Sequence, residues 1–200
     1  FSKIEVEKDE GDPVYGGFET LNLKVGRIVK AQDHPNADSL LLLEVDIGKT
    51  IQVVAGLKAY YTKEEMEGRK VVVVSNLKPA KLRGEQSQGM LLAADSGDLV
   101  KLASPPEDSV PGDAVSSGLR QSDRLIEFKD FQKLTLRVAA VDGNELDVGR
   151  TVRAKGPVEL KAKRVVAYLP TPDADEALVL STDKGPVTVD DAMPGGATVR

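Results

Sequence analysis

The segment that decides the fold is residues 62–77, which read TKEEMEGRKVVVVSNL. Thr62 and Glu65 have the spacing of a helix N-terminal capping box, and a glycine follows where a helix typically ends. The segment therefore predicts one short helix over residues 62–67. The run of β-branched residues that follows is typical of a β-strand, and we expect that strand over residues 69–77.

The sequence on both sides of this segment has the alternation of apolar and polar residues that is typical of β-strands. A glycine at position 26 interrupts the first of these strands and indicates a bulge or a strong bend. Two segments rich in turn-forming residues, 34–39 and 78–87, are predicted loops. The strands that we expect are residues 21–29, 40–47, 51–57, 89–94 and 99–102.

The order of these elements is three strands, a helix and then further strands. A small closed barrel with a helix between its third and fourth strands has this order, which is the arrangement of the oligonucleotide/oligosaccharide-binding (OB) fold. We therefore predict an all-β protein that begins with an OB-fold and has one short helix per main barrel.

The second half of the chain is similar to the first in its pattern of residues. Residues 134–138 repeat the pattern of residues 21–25, and residues 177–199 follow that of residues 90–115. No counterpart of the helix is found there, so we predict a second, reduced OB-like β domain. Two unrelated β domains that share turn chemistry are the alternative.

The composition along the chain predicts three parts. Residues 1–17 combine dense acidic residues with Gly and Pro, and they are a predicted flexible acidic leader. We expect the OB-fold over residues 18–118 and the degenerate OB-like C-terminal domain over residues 119–200.

The composition also excludes several kinds of site. The chain has no Cys and one His, so disulfides, thiolate metal sites, cysteine nucleophiles and His-cluster metal sites are ruled out. No plausible pair of nucleophile and base is found, and we expect no catalytic residues, no cofactor and no metal. No apolar run is long enough to span a bilayer, and we expect a cytoplasmic protein without a membrane partner.

The charge of the chain is unevenly distributed. The 27 Lys and Arg residues against 32 Asp and Glu residues give a net charge of -5. Five of the basic residues fall between positions 69 and 83, where there is no acid, so the other 22 face 32 acids and the rest of the chain carries -10. A local basic patch sets the field that a nearby polyanion feels, and we therefore expect a nucleic-acid partner.

The predicted loop at residues 78–87 and the residues beside it are the candidate binding site. In an OB-fold this loop and the loop between the first two strands flank the binding face. Cations can contact phosphates, and neutral polar side chains can bond sugar or base edges. The cations are Lys78, Lys81 and Arg83, and the neutral candidates are Asn76, Ser87 and Gln88. A basic loop that only keeps the surface soluble is the alternative.

The loop between the first two strands, residues 34–39, contains two further candidates. His34 can contact RNA, although a turn or packing role is the alternative that we favour for an isolated His beside Pro. Asn36 is also a candidate contact, and its alternative is to bond local backbone N–H groups.

Residues 76–84, followed by residues 87–92, resemble the signature of the tRNA-binding OB-domain family. That family includes the endothelial monocyte-activating polypeptide II domain, the C-terminal extension of methionyl-tRNA synthetases and stand-alone tRNA-binding cofactors. The resemblance covers about residues 18–115. Supporting matches occur at residues 21–28, 34–38, 54–57 and 109–113.

The resemblance implies a structure-dependent tRNA-binding module that acts as a cofactor or appended domain of an aminoacyl-tRNA synthetase, with the methionyl type favoured. Its partners would be tRNA and synthetases, alone or in a multi-synthetase complex, and its extra C-terminal domain would form a pseudo-dimer with the first. A protein–protein assembly module with incidental RNA affinity is the alternative. Lys24 and Arg27, within the match at residues 21–28, are further candidate tRNA contacts.

Aromatic side chains are scarce, with four Phe, four Tyr and no Trp. None lies in the predicted strands of the first barrel, and a surface that stacks successive bases of an unstructured strand normally uses aromatic platforms. The composition therefore favours recognition of a folded RNA by backbone charge and shape. For Tyr60 and Tyr61 we favour packing near the helix over a stacking role.

Overall fold

The computed structural model describes most of the chain. The predicted leader at residues 1–17 and the predicted boundary between residues 118 and 119 lie outside the described residues. The described ranges are 21–116, 122–132, 136–142, 145–147, 151–155, 165–170, 176–190, 192–194 and 196–199.

The first half of the chain is a curled antiparallel sheet with one short helix. Its elements are β1 (Leu23–Asp33), β2 (Leu41–Asp46), β3 (Thr50–Ala55), α1 (Lys63–Met66), β4 (Lys70–Val74), β5 (Ala80–Leu82), β6 (Glu85–Ser87), β7 (Met90–Leu91), β8 (Ala93–Asp95), β9 (Val100–Leu102) and β10 (Ala114–Val115). The main sheet has the order β3-β2-β1-β4-β7, and β10 pairs with β1. The strands β5 and β6 pair with each other, as do β8 and β9.

The predicted order of strands around the helix is confirmed. The helix α1 lies between β3 and β4 and begins with the predicted capping box. The Glu65 N–H donates to Thr62 Oγ1 at 3.1 Å, and the Thr62 N–H donates to Glu65 Oε1 at 2.8 Å. The second of these bonds lowers the pKa of Glu65 below its ordinary value. This part of the chain is therefore all-β and OB-like, as predicted.

The segment that the sequence predicts as a loop, residues 78–87, forms a β-hairpin. The strands β5 and β6 pair with Lys81 opposite Gln86. A two-residue turn joins them, in which Arg83 has a φ of 56° and Gly84 a φ of 93°. Two positive φ values are typical of a type I′ hairpin turn, whose usual sequence signal is Asn-Gly. Because an arginine stands in the first position, the sequence lacks that signal.

The valine-rich strand β4 is buried on both faces. Val71 and Val73 pack inside the first barrel, whereas Val72 and Val74 pack in a second cluster that includes apolar side chains of the second half. All four are fully buried. The run of valines therefore belongs to a strand that lies between two hydrophobic cores.

The second half of the chain is also built from strands. Its elements are α2 (Phe128–Phe131), β11 (Arg137–Asp142), β12 (Glu145–Asp147), β13 (Thr151–Lys155), β14 (Val165–Pro170), β15 (Glu176–Val179), β16 (Ser181–Thr182), β17 (Gly185–Pro186), β18 (Thr188–Val189) and β19 (Thr198–Val199). The sequence did not predict α2. The segment between β13 and β14, where a counterpart of α1 would lie, is outside the described residues.

Five strands of the second half form a closed ring. They pair in the order β11, β12, β13, β15 and β14, and β14 pairs back to β11. The pair β13–β15 is parallel, and the other pairs in the ring are antiparallel. The last strand, β19, pairs with both β11 and β8, so one sheet continues from the second half into the first. None of the helices within the described ranges is long and apolar enough to cross a membrane.

Gly26 lies at the point where β1 passes from the cluster shared by the two halves to the interior of the first barrel. A Cβ atom at this position would lie 2.8 Å from a methyl carbon of Val45 and 2.8 Å from one of Val73. The predicted bulge or bend lies just beyond Gly26, where the pairing of β1 with β2 shifts register between Ile28 and Lys30. The glycine is therefore required by close packing in the barrel wall.

We expect Gly26→Ala to lower the free energy of unfolding by about 1–3 kcal/mol, because the added methyl group overpacks the barrel interior. Urea denaturation followed by circular dichroism measures the change. Gly56→Ala is the matched control, since a Cβ there meets Leu40 Cδ2 at an ordinary 3.8 Å, and it should be at least as stable as the wild type. Equal denaturation midpoints for the two variants would contradict this account.

Candidate functional site

The basic hairpin, defined here as residues 78–88, carries the candidate cations on a regular two-stranded ribbon. Its turn places Arg83 in the left-handed region, which costs a residue with a Cβ roughly 1–2 kcal/mol. Asn or Gly adopts that conformation more readily. The turn therefore carries a cation at a position where a neutral residue would be less strained.

The ring of His34 joins the loop between β1 and β2 to the basic hairpin. Its Nε2 lies 2.9 Å from the Leu82 carbonyl oxygen, and its Nδ1 lies 2.9 Å from the Asn36 backbone nitrogen. A carbonyl oxygen can only accept and a backbone N–H can only donate, so the ring is the neutral tautomer with its proton on Nε2. His34 is 5% exposed, so it supports the hairpin from inside instead of presenting its ring to a ligand.

Asn36 holds the turn of the basic hairpin from both sides. Its side-chain Nδ2 donates to the Arg83 carbonyl oxygen at 3.3 Å, and Arg83 Nη2 donates to the Asn36 carbonyl oxygen at 3.3 Å. The guanidinium has five N–H donors and the second bond uses one of them. The loop and the hairpin are thus joined at three points near the tip of the hairpin.

Ser87 and Gln88 close the barrel wall between β3 and β7, which do not pair as strands in the described sheet. The Val54 N–H donates to Ser87 Oγ at 3.0 Å, and that hydroxyl donates to the Gly89 carbonyl oxygen at 3.0 Å. The Gln52 N–H donates to Gln88 Oε1 at 2.9 Å, and the Gln88 N–H donates to the Gln52 carbonyl oxygen at 2.7 Å. These two candidates therefore have a structural role, because they join β3 to β7 along the seam where the two strands do not pair.

Asn76 connects the first half of the chain to the segment around residues 122–126. Its Oδ1 accepts from the Asn22 N–H at 2.9 Å, and its Nδ2 lies 2.7 Å from the Arg124 carbonyl oxygen and 3.3 Å from that of Ser122. The side chain is 3% exposed. The amide of Asn76, a predicted RNA contact, is therefore bonded inside the protein.

The exposed cations of the basic hairpin differ in their partners. Lys81 and Arg83 are exposed, and neither is paired with a carboxylate of a described residue. Lys78 Nζ lies 3.3 Å from Glu127 Oε1, and the two side chains are 54% and 46% exposed. The hydrogen bond from Lys78, with the nearby charge of Lys129, lowers the pKa of Glu127. Exposed ion pairs of this kind contribute little to stability, so Lys78 can exchange Glu127 for another anion.

The two remaining candidates are strand residues outside this cluster. Lys24 is opposite Val73, and Arg27 is opposite Lys70 in the ladder between β1 and β4. Arg27 is exposed and Lys24 is half-buried. Within the described part of the chain, no three acidic or His side chains come together in a way that could hold a metal ion.

We expect Asn76→Ala to lower the free energy of unfolding by about 1–3 kcal/mol, because the buried partners of its amide lose their hydrogen bonds. Urea denaturation measures the loss. Lys81→Ala is the control on an exposed site and should change the free energy by less than about 0.5 kcal/mol. A variant Asn76→Ala with wild-type stability and reduced RNA affinity would instead make Asn76 a direct contact.

Comparison with known proteins places residues 23–114 under the family model described as "Putative tRNA binding domain". The chain is similar to a methionine–tRNA ligase of Thermococcus onnurineus, with 50% identity over 111 residues that make up 54% of this chain and 15% of the enzyme. It is also similar to the aminoacyl tRNA synthase complex-interacting multifunctional protein 1 of Mus musculus, with 47% identity over 98 residues, 48% of this chain and 32% of that protein. The chain thus spans less than a third of the length of either relative.

A solved structure shares the fold of both halves. The crystal structure of the C-terminal domain of Plasmodium vivax p43 aligns with a TM-score of 0.67, covering 91% of this chain and 98% of that domain at 23% identity. At that identity the likeness concerns the fold alone. The match to the family model and the identity to the two relatives concern the sequence itself, and both are similarities of the stretch around residues 23–114 to tRNA-binding domains.

Proposed function

We propose that this chain is a structure-dependent tRNA-binding module that serves an aminoacyl-tRNA synthetase, of the methionyl type, as an appended domain or a cofactor. The observation that carries the proposal is the basic hairpin, whose exposed cations Lys81 and Arg83 stand on a backbone that His34 and Asn36 anchor. The match of residues 23–114 to the family model and the identity to a methionine–tRNA ligase support the choice of ligand and partner.

The basic hairpin can bind phosphates without much loss of conformational freedom. Its turn is fixed by the hydrogen bond from Asn36 to the Arg83 carbonyl and its strand by the bond from His34 to the Leu82 carbonyl, so the backbone positions of its cations are fixed before a ligand arrives. A preorganised site loses less entropy on binding. A fixed array of cations also matches the fixed spacing of phosphates in a folded RNA better than the variable spacing in an unstructured strand.

The rest of the protein restricts where RNA can bind. The chain outside positions 69–83 carries a net charge of -10 and repels a polyanion at most other places on the surface. Binding then depends on the basic hairpin and the cations nearest to it. We propose a binding role without catalysis, in the cytoplasm where translation takes place.

The second half is proposed to be an OB-like domain over residues 119–200 that forms a pseudo-dimer with the OB-fold over residues 18–118. The closed ring of five strands and the sheet that continues through β8 and β19 support this arrangement. The shared hydrophobic cluster, to which Val72, Leu136 and Leu180 contribute, supports it as well. In this role the second half stabilises the outer face of the first barrel.

A protein–protein assembly module is the second candidate function. The name of the mouse relative, a synthetase complex-interacting protein, favours it. One experiment distinguishes the two roles. If the chain is an assembly module, a protein partner should co-purify with it after nuclease treatment and should be retained when the basic hairpin is neutralised.

A competition gel shift tests the proposed function. We expect bulk tRNA to bind more tightly than an unstructured RNA of the same length, because the ordered cations match a folded backbone. Equal affinity for the two RNAs would overturn the structure-dependent part of the proposal. Absence of binding to both RNAs would overturn the whole proposal.

We expect the double variant Lys81→Gln with Arg83→Asn to bind tRNA about 10- to 100-fold more weakly, because two charge-assisted phosphate contacts are lost. Its melting temperature should not fall, since Asn adopts the left-handed turn position readily. Lys49→Gln with Lys184→Gln is the matched control, because it makes the same change in net charge away from the basic hairpin. If both double variants lose affinity equally, the site lies elsewhere.

We expect Glu127→Gln to raise the affinity for tRNA by about two- to fivefold, because it releases Lys78 from an exposed ion pair. The pKa of Glu127 is lowered by Lys78, so the pair is intact at neutral pH and is lost as the pH falls through that lowered pKa. Lowering the pH should therefore reduce the difference between variant and wild type. A variant that binds more weakly than the wild type would contradict a phosphate role for Lys78.

A further inference from the structure

A cavity of about 490 Å³ lies at the seam between β3 and β7. Its wall includes the end of β3, the beginning of β7 and the strand β5 of the basic hairpin. The volume falls in the range of about 300–1,000 Å³ that is usual for small-molecule sites. Among the described residues that line it, the charged ones are Lys78 and Asp95, and most of the others are apolar.

The strand β5 separates this cavity from the phosphate-binding side of the basic hairpin. Ala80 and Leu82 line the cavity, while Lys81 between them does not. Because side chains alternate across a strand, Lys81 points to the opposite face. Lys78 is the hairpin cation that lines the cavity, so a nucleotide whose phosphate lies on Lys78 has the apolar cavity beside it.

Two exposed aromatic side chains lie at the cavity. Tyr60 is 46% exposed and Phe128 is 50% exposed, and both line the cavity. Phe128 is held by stacking on the buried ring of Phe131, with the ring centres 6.4 Å apart. Tyr61 differs from its neighbour, because it is buried and its hydroxyl accepts from the Leu102 N–H at 3.0 Å. The structure thus separates the tyrosine pair into a core residue and a cavity residue.

We infer that this cavity binds an unpaired base of the RNA that the basic hairpin holds, with Tyr60 and Phe128 as its stacking surfaces. The inference rests on the proposed function. The two charges that line the cavity, Lys78 and Asp95, offset each other, and the positive charge of Lys81 and Arg83 on the same hairpin favours a polyanion as the occupant. Every base has an apolar face that stacks on aromatic rings, so the site is tolerant of sequence.

The first test compares two RNAs of equal length, a stem-loop with unpaired loop nucleotides and a fully paired duplex. We expect Tyr60→Ala and Phe128→Ala each to weaken binding of the stem-loop by about five- to a hundredfold and to leave duplex binding unchanged. Val110→Ala is the matched control, since Val110 is 53% exposed and does not line the cavity. If both aromatic variants bind the stem-loop with wild-type affinity, while Lys81→Gln with Arg83→Asn binds it more weakly, this inference is overturned and the proposed function stands.

The second test reports on the cavity directly. A stem-loop that carries 2-aminopurine in its loop should lose fluorescence on binding, because stacking on Tyr60 or Phe128 quenches the base. Ala80→Leu should abolish the quenching by filling the cavity with a side chain that has no ring, while the cations still bind the RNA. Unchanged quenching in that variant would contradict the assignment. If a fluorescent apolar peptide binds the wild type but not Ala80→Leu, and the 2-aminopurine signal is absent, the cavity is a peptide site and the inference is wrong.

Discussion

The hydrogen bond from His34 Nε2 to the Leu82 carbonyl oxygen is the contact on which the binding surface depends. A two-stranded ribbon alone is marginally stable in water, and the turn of this ribbon has Arg83 in a conformation that side chains with a Cβ disfavour. The buried imidazole anchors one strand and Asn36 anchors the turn. The loop between β1 and β2 therefore converts a strained basic ribbon into an ordered one.

A second constraint comes from the strand β4, which is apolar on both faces. Its alternating valines contribute to the interior of the first barrel and to the cluster shared with the second half, so neither half is complete without the other. Asn76 follows β4 directly and bonds the backbone of Ser122 and Arg124. The base of the basic hairpin is thereby tied to the second half.

Sequence patterns predicted the elements whose signals are local. The capping box of α1 and the alternating strands are set by residues within a few positions of each other, and the structure confirms them. The two strands of the basic hairpin were not predicted, because Arg83 occupies a turn position without the usual turn residue. The roles of Asn76 and Ser87 depend on partners 33 to 54 positions away, which no local pattern reveals. The exposed ring of Phe128 belongs to a short helix without a side-chain cap, so no capping pattern in the sequence predicted that helix.

The salt dependence of tRNA binding tests most directly whether ordered cations on the basic hairpin contact phosphates. With four to six such contacts, the logarithm of the association constant should fall against the logarithm of salt concentration with a slope of about −3 to −5. Removing the two charges of Lys81 and Arg83 should make the slope less steep by about 2. The same slope with and without these two side chains would show that they release no counterions, and it would contradict the account.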